Sequence, residues 1–145
     1  MKLIVQRVTN SKVTVDGKIT GKIGEGFLVL LGVTHTDTKE IADFLVKKLC
    51  NLRVFTDEND KMNLSIKDID GELLIVSQFT LYADCQKGNR PSFVNSAKPE
   101  IAEKLYEYFV EQCRKEVKNV ETGIFGAHME VELLNNGPVT IVLEK

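Results

Sequence analysis

The chain has 145 residues, 43% hydrophobic and 28% charged, with 19 Lys and Arg against 21 Asp and Glu. One domain covering residues 1–145 is expected, burying roughly 68 to 70% of the surface that its unfolded chain exposes. The near-neutral balance gives no electrostatic drive to coat DNA or another nucleic acid backbone, so any RNA contact is expected to be small and local, and no apolar run approaches the ~20 residues that cross a bilayer.

The opening Met1-Lys2-Leu3-Ile4-Val5-Gln6-Arg7 meets charge too soon for a secretory h-region, so a cytoplasmic protein is expected. Cys50, Cys85 and Cys113 are odd in number, widely spaced and free of any CxxC pair. That pattern argues against a disulfide framework and against a zinc site, so the three are read as free thiols.

Leu3–Val8 and Ser11–Val15 are β-rich, and Asp16-Gly17 is a hairpin signal before a strand over Lys18–Ile23. Phe27–Val33 is apolar on both faces and reads as a central strand buried on two sides. Ile41, Phe44, Leu45, Leu49 and Leu52 recur at helical spacing behind Thr36-Asp37-Thr38, any of which could cap the first helix. A short strand at Arg53–Phe55 and a polar turn at Asp57–Asp60 follow. Leu73–Phe79 is a second buried strand, entered from an Asp70-Gly71 turn. Residues 84–96 are polar, and Ile101, Leu105, Tyr108, Phe109 and Gln112 mark a second helix with Pro99 near its first turn. Strands at about 129–134 and 139–144 close the chain, joined by a turn through Asn136-Gly137-Pro138. These elements predict an α+β domain in which a curved, mostly antiparallel sheet carries two main helices on one side.

Conventional catalytic signatures are few. His35 and His128 are the only histidines, and neither stands in an HExxH or other ligand spacing. There is no GxSxG elbow, Walker loop or GxGxxG segment before a helix, and the Asp57, Glu58, Asp60 group lacks the twelve-residue calcium pattern. Neither a metal nor an organic cofactor is expected.

Ser77-Gln78-Phe79-Thr80 is more informative, because it places hydroxyl and amide groups where an apolar strand hands its chain to a loop. On strand alternation, Ser77 and Phe79 face one way and Gln78 and Thr80 the other. One reading is local: Ser and Thr at a strand end are β formers that hydrogen-bond nearby. The other is catalytic, with the Thr80 hydroxyl and the main-chain amides around Phe79 and Thr80 binding an ester carbonyl as an oxyanion hole. Thr80 as nucleophile is the weaker form, since no His, Lys or terminal amine is placed by sequence to activate it.

The strings Ser77-Gln78-Phe79-Thr80-Leu81 and Asn135–Thr140 resemble the two signature motifs, SQFTL and NxGPxT, of the D-aminoacyl-tRNA deacylases. The resemblance runs from Val5-Gln6-Arg7-Val8 through Gly88–Phe93 to the last strand, essentially the whole chain. It implies a barrel-like core, a two-fold homodimer with active sites at the subunit interface, and aminoacylated tRNA, bound by its 3′ CCA end, as partner. It implies hydrolysis of D-aminoacyl-tRNA and of misattached glycine, with the terminal 2′-hydroxyl orienting water. In the family a cis Gly-Pro peptide, here Gly137-Pro138, enters the partner subunit's site and rejects L-amino acids. By the same resemblance Arg7 holds that segment and Met129 lines the pocket. Lys87 and Arg90, in the polar loop after the first motif, are the candidates for touching tRNA. A non-catalytic RNA- or ligand-binding dimer is the alternative from another class.

Overall fold

The computed structural model describes residues 1–145. In chain order it contains β1 (Lys2–Val15), β2 (Lys18–Ile23), β3 (Gly26–Gly32), α1 (Lys39–Cys50), β4 (Phe55–Thr56), β5 (Met62–Leu64) and β6 (Glu72–Ser77). A single 3-10 helix (Phe79–Tyr82) follows, then α2 (Pro99–Glu116), β7 (Val120–Thr122) and β8 (Glu130–Glu144). The main sheet runs β2-β1-β3-β6-β7, with β8 added along β1. β1 is antiparallel to β2, β3 and β8, whereas β3–β6 and β6–β7 are parallel.

The two β-rich N-terminal segments are one strand of 14 residues. Its first half pairs with β3 and its second half with β2, while β8 follows it along the other side. To serve both neighbours β1 must bend, and irregular register between Gln6 and Asn10 marks the place. Curvature there lets β2 fold back across the sheet toward β7. Gly21 permits the close approach, because a Cβ at that position would lie 2.5 Å from the Thr122 carbonyl oxygen. The result is a nearly closed barrel.

As expected, β3 and β6 are buried on both faces. One face, with Leu3, Val5, Phe27, Val29, Leu31, Leu73 and Ile75, packs under the two helices. The other face, with Val8, Val13, Ile23, Leu28, Leu74 and Val76, fills the barrel. Each fully buried side chain such as Phe27 or Phe109 contributes about 1.5–3 kcal/mol relative to exposure.

α1 starts at Thr38, whose side chain accepts from the Ile41 amide at 3.4 Å. α2 starts with Pro99 in its first turn. Within the helical periodicities Phe44 and Ile101 turn outward, and Ala42, Val46, Tyr106 and Val110 take the core positions. Cys50 and Cys113 are buried, one on each helix, and Cys85 is exposed; all three are free thiols. The Cys113 thiol is pushed up by its hydrogen bond with Cys50 and by burial, which keeps it protonated.

Two local expectations fail. β6 ends at Ser77, so strand alternation does not continue through Thr80. Its parallel partner β3 stops at Gly32; Gln78 makes one more ladder bond, to the Leu31 carbonyl at 2.8 Å, and the unpaired chain then coils into the 3-10 helix. Nor does the chain reverse at Asn136-Gly137-Pro138, because β8 passes straight through as one strand of 15 residues. The long β1 offers a template on both sides, with Val8 paired to Asn135 and Gln6 to Thr140, so Asn136–Val139 bulge out opposite Arg7 alone. Inside that bulge the Gly137-Pro138 peptide is cis. The three-residue β7 has no counterpart in the sequence reading.

Candidate active site

The end of β6 opens into an apolar cavity of about 640 Å³. Ser77, Gln78 and Phe79 form one wall, and Met129, just before β8, with Val131 at the start of β8 forms another. Phe93 closes the rim, its ring edge-on to that of Phe79 with centroids 5.0 Å apart. A second cavity of about 440 Å³, beside the Glu103, Glu107 and Glu111 side of α2, contains none of the motif residues.

Thr80 lies just past the cavity wall, exposed on the 3-10 helix. The Gln78 side-chain amide donates to Thr80 Oγ1. With its oxygen already accepting, the hydroxyl keeps its own hydrogen free to donate outward. No imidazole, ammonium or carboxylate hydrogen-bonds to Thr80, so no base holds it as a nucleophile. Helix geometry adds donors, since the first amides of a 3-10 helix have no intrahelical acceptor and here no side chain caps them.

Arg7, Gly137 and Pro138 come together elsewhere. Arg7 is buried in β1, with Nε donating to the Asn136 carbonyl at 2.9 Å and Nη1 to the Val54 carbonyl. Gly137 has φ +131°, and it and Pro138 are exposed on the bulge of β8. None of the three lines the cavity that holds Ser77, Phe79 and Met129. Within one chain, the two motifs therefore occupy separate places.

Lys87 and Arg90 are exposed in a loop closed by paired bonds between Asp84 and Ser92, each 2.8 Å. His35 bonds the Val94 carbonyl at 2.7 Å, a structural contact, whereas His128 stands at the cavity wall. Ser96, Lys98 and the segment Phe125–Ala127 also line the cavity, with no motif in the sequence to single them out. The glycines at 123 and 126 were the available signal for that last segment.

The fold is a nearly closed α+β barrel with both helices packed on one face of a mixed sheet. Over 98% of this chain and 97% of the other, it matches the structure described as "Structural Analysis of a probable eukaryotic D-amino acid tRNA deacylase", with TM-score 0.82 and 18% identity, a likeness of fold. A second solved structure, "c-Myc DNA Unwinding Element Binding Protein", matches with TM-score 0.95 and 46% identity over 100% of this chain and 99% of that one. Among curated relatives, "D-aminoacyl-tRNA deacylase" of Thermosipho africanus (strain TCF52B) is 60% identical, covering 99% of this chain and 97% of the relative. That of Clostridioides difficile (strain 630) is 59% identical with the same coverage. The family model D-Tyr-tRNA(Tyr) deacylase matches residues 4–144, and the chain belongs to that family.

Proposed function

We propose that residues 1–145 act as one catalytic unit that hydrolyses the ester of D-aminoacyl-tRNA, and of misattached glycyl-tRNA, in cytoplasmic translation quality control. The carrying observation is the exposed 3-10 helix at Phe79–Tyr82, whose uncapped first turn and outward Thr80 hydroxyl adjoin an apolar cavity. The cavity takes the 3′-terminal adenosine, with Ser77, Gln78, Phe79 and Met129 as walls. The ester carbonyl sits over the Phe79 and Thr80 amides, which stabilise the oxyanion that forms when water adds. Thr80 donates a hydrogen bond and stays uncharged, while the terminal 2′-hydroxyl orients the attacking water. The tetrahedral intermediate then expels the ribose 3′ oxygen, which takes up a proton, and the D-amino acid leaves. Lys87 and Arg90 meet the phosphates of the CCA end.

Chirality is read by main chain. The Gly137-Pro138 carbonyls, presented by a second copy in a C2 dimer, stand beside the substrate Cα and leave room for hydrogen but not for an L side chain. Two observations support the dimer. Gly137 and Pro138 do not line their own chain's cavity, and β8 is an edge strand of 15 residues paired on one side. An edge of ~50 Å is a ready template for another copy. The DNA-binding description belongs to the 46% identical structure. This chain, with 19 basic and 21 acidic residues, has no net positive field to support the same role.

The test is hydrolysis by metal-free protein of D-Tyr-tRNA beside L-Tyr-tRNA, repeated with Thr80→Ala and with a terminal 2′-deoxyadenosine. Release of D-tyrosine alone, with the deoxy substrate losing more rate than Thr80→Ala, is expected. Binding without release would leave a non-catalytic RNA-binding dimer, and the reverse order of losses would make Thr80 the nucleophile.

A further inference from the structure

Ser96, which neither motif contains, is hydrogen-bonded to the centre of the first motif. Its Oγ donates to the Phe79 carbonyl oxygen at 2.9 Å. Ser96 is itself held firmly. Its amide donates to the Phe93 carbonyl at 3.0 Å, the next amide, of Ala97, donates to Val33 at 2.9 Å, and Thr34 Oγ1 donates to the Asn95 carbonyl at 2.6 Å. Residues 93–97 thus form a strap stitched to the chain just beyond β3. The 3-10 helix hangs from the same strand, through the Gln78 amide on Leu31. Strap and helix are therefore fixed to one support, and the Ser96 hydroxyl spans the gap between them.

Its effect follows from peptide geometry. The Phe79–Thr80 peptide is trans, so its carbonyl and its amide N–H point in opposite directions across one plane. Pinning the carbonyl on the strap side turns the Thr80 N–H to the side away from the strap. The 3-10 helix has only four residues, and its turn bonds, such as the Leu81 amide to the Gln78 carbonyl at 3.3 Å and the Ala83 amide to the Thr80 carbonyl at 3.0 Å, leave the Ser96 hydroxyl as the side-chain tether on that plane. We propose that Ser96 is a positioning residue: its hydroxyl locks the Phe79–Thr80 peptide so that the Thr80 amide is aimed, before substrate arrives, at the developing oxyanion. This rests on the reading of the Phe79 and Thr80 amides as the oxyanion donors.

Ser96→Ala removes the lock and leaves the donor. Because deleting an oxyanion donor outright costs 10²–10³ in rate, loosening one costs about tenfold in kcat, with KM within about twofold. Ser96→Thr, which keeps the hydroxyl, restores the rate. A structural role alone would lower kcat only as far as it lowers Tm, so two nonhydrolysable probes decide the matter. An amide-linked D-tyrosyl-adenosine mimics the ground state, and a phosphonate analogue carries the tetrahedral anion. Ser96→Ala is expected to weaken the phosphonate about tenfold and the amide by less than twofold, the signature of an interaction made in the transition state. Equal loss for both probes, or none for either, overturns the role of Ser96. If the wild-type protein itself binds the phosphonate no more tightly than the amide, the oxyanion reading fails and the proposal falls with it.

Discussion

Arg7 Nε holds the Asn136 carbonyl at 2.9 Å, although the two residues are 129 positions apart. The same guanidinium bonds Val54, so a rigid fork ties the bulge of β8 to the segment after α1. Arg7→Ala is expected to cost about 3 kcal/mol, because one buried and one half-buried carbonyl lose a charged donor. It should also reduce the D/L ratio of kcat/KM at least about tenfold, as the Gly137-Pro138 carbonyls lose their fixed direction. Arg7→Lys restores little, since an ammonium cannot span both carbonyls. Thermal unfolding and paired kinetics on D- and L-Tyr-tRNA check both parts, and an unchanged D/L ratio removes Arg7 from selectivity.

Gly137 makes the complementary case. At φ +131° an L side chain costs about 1–3 kcal/mol. A Cβ there would also lie 2.9 Å from the Val139 amide nitrogen and 3.2 Å from Arg7 Nη2. Gly137→Ala should therefore lower kcat/KM on D-Tyr-tRNA by about tenfold or more without admitting L-Tyr-tRNA, because it crowds the proposed filter and does not loosen it. Gain of L-specific hydrolysis in this variant would contradict the main-chain filter.

Periodicity exposed most of the fold. The two doubly buried strands, both helices and the Asp16-Gly17 hairpin follow from apolar spacing and turn chemistry at those positions. What misled was punctuation. Gly137-Pro138 carries the local signature of a turn, but the pairing offered by β1 on either side absorbs it as a bulge. Phe79 and Thr80 are good β formers and extend the strand pattern in sequence, yet the ladder runs out where β3 ends. Ser96 could not be read at all, since its partner is 17 residues away and their meeting depends on the strap. The candidate site was legible as motifs and illegible as geometry.

The free edge of β8 carries a prediction about assembly. Val139, Ile141 and Leu143 pack inward, whereas Leu134 and Val142 are more than half exposed, at 56% and 57%. If a second copy covers them, Val142→Asp places an unpaired charge in an apolar interface, so the protein should become monomeric. Light scattering should then give half the wild-type mass, with deacylation lost while the circular dichroism spectrum is retained. An active monomer would mean that each chain completes its own site.

Gly123 stands behind Met129, which lines the cavity while Gly123 does not. A Cβ at position 123 would lie 2.4 Å from Met129 Sδ and 3.5 Å from Val13 Cγ1, so the thioether occupies space that only glycine leaves. No left-handed φ stands in the way of alanine at this position, and the obstacle is the methionine alone. Met129 packs against the barrel side of the core on one flank and lines the cavity on the other. Being unbranched, it can swing away at little internal cost. The open direction is the cavity, so Gly123→Ala should drive the thioether into the space assigned to substrate and raise KM about tenfold, with kcat changed less. Met129→Ala alone enlarges the pocket, and adding it to Gly123→Ala removes the side chain that the new methyl displaces. The double variant should therefore recover most of the lost affinity, a coupling of at least about 1 kcal/mol in the cycle. Additive losses in kcat/KM would show that Gly123 acts through the fold and not through Met129.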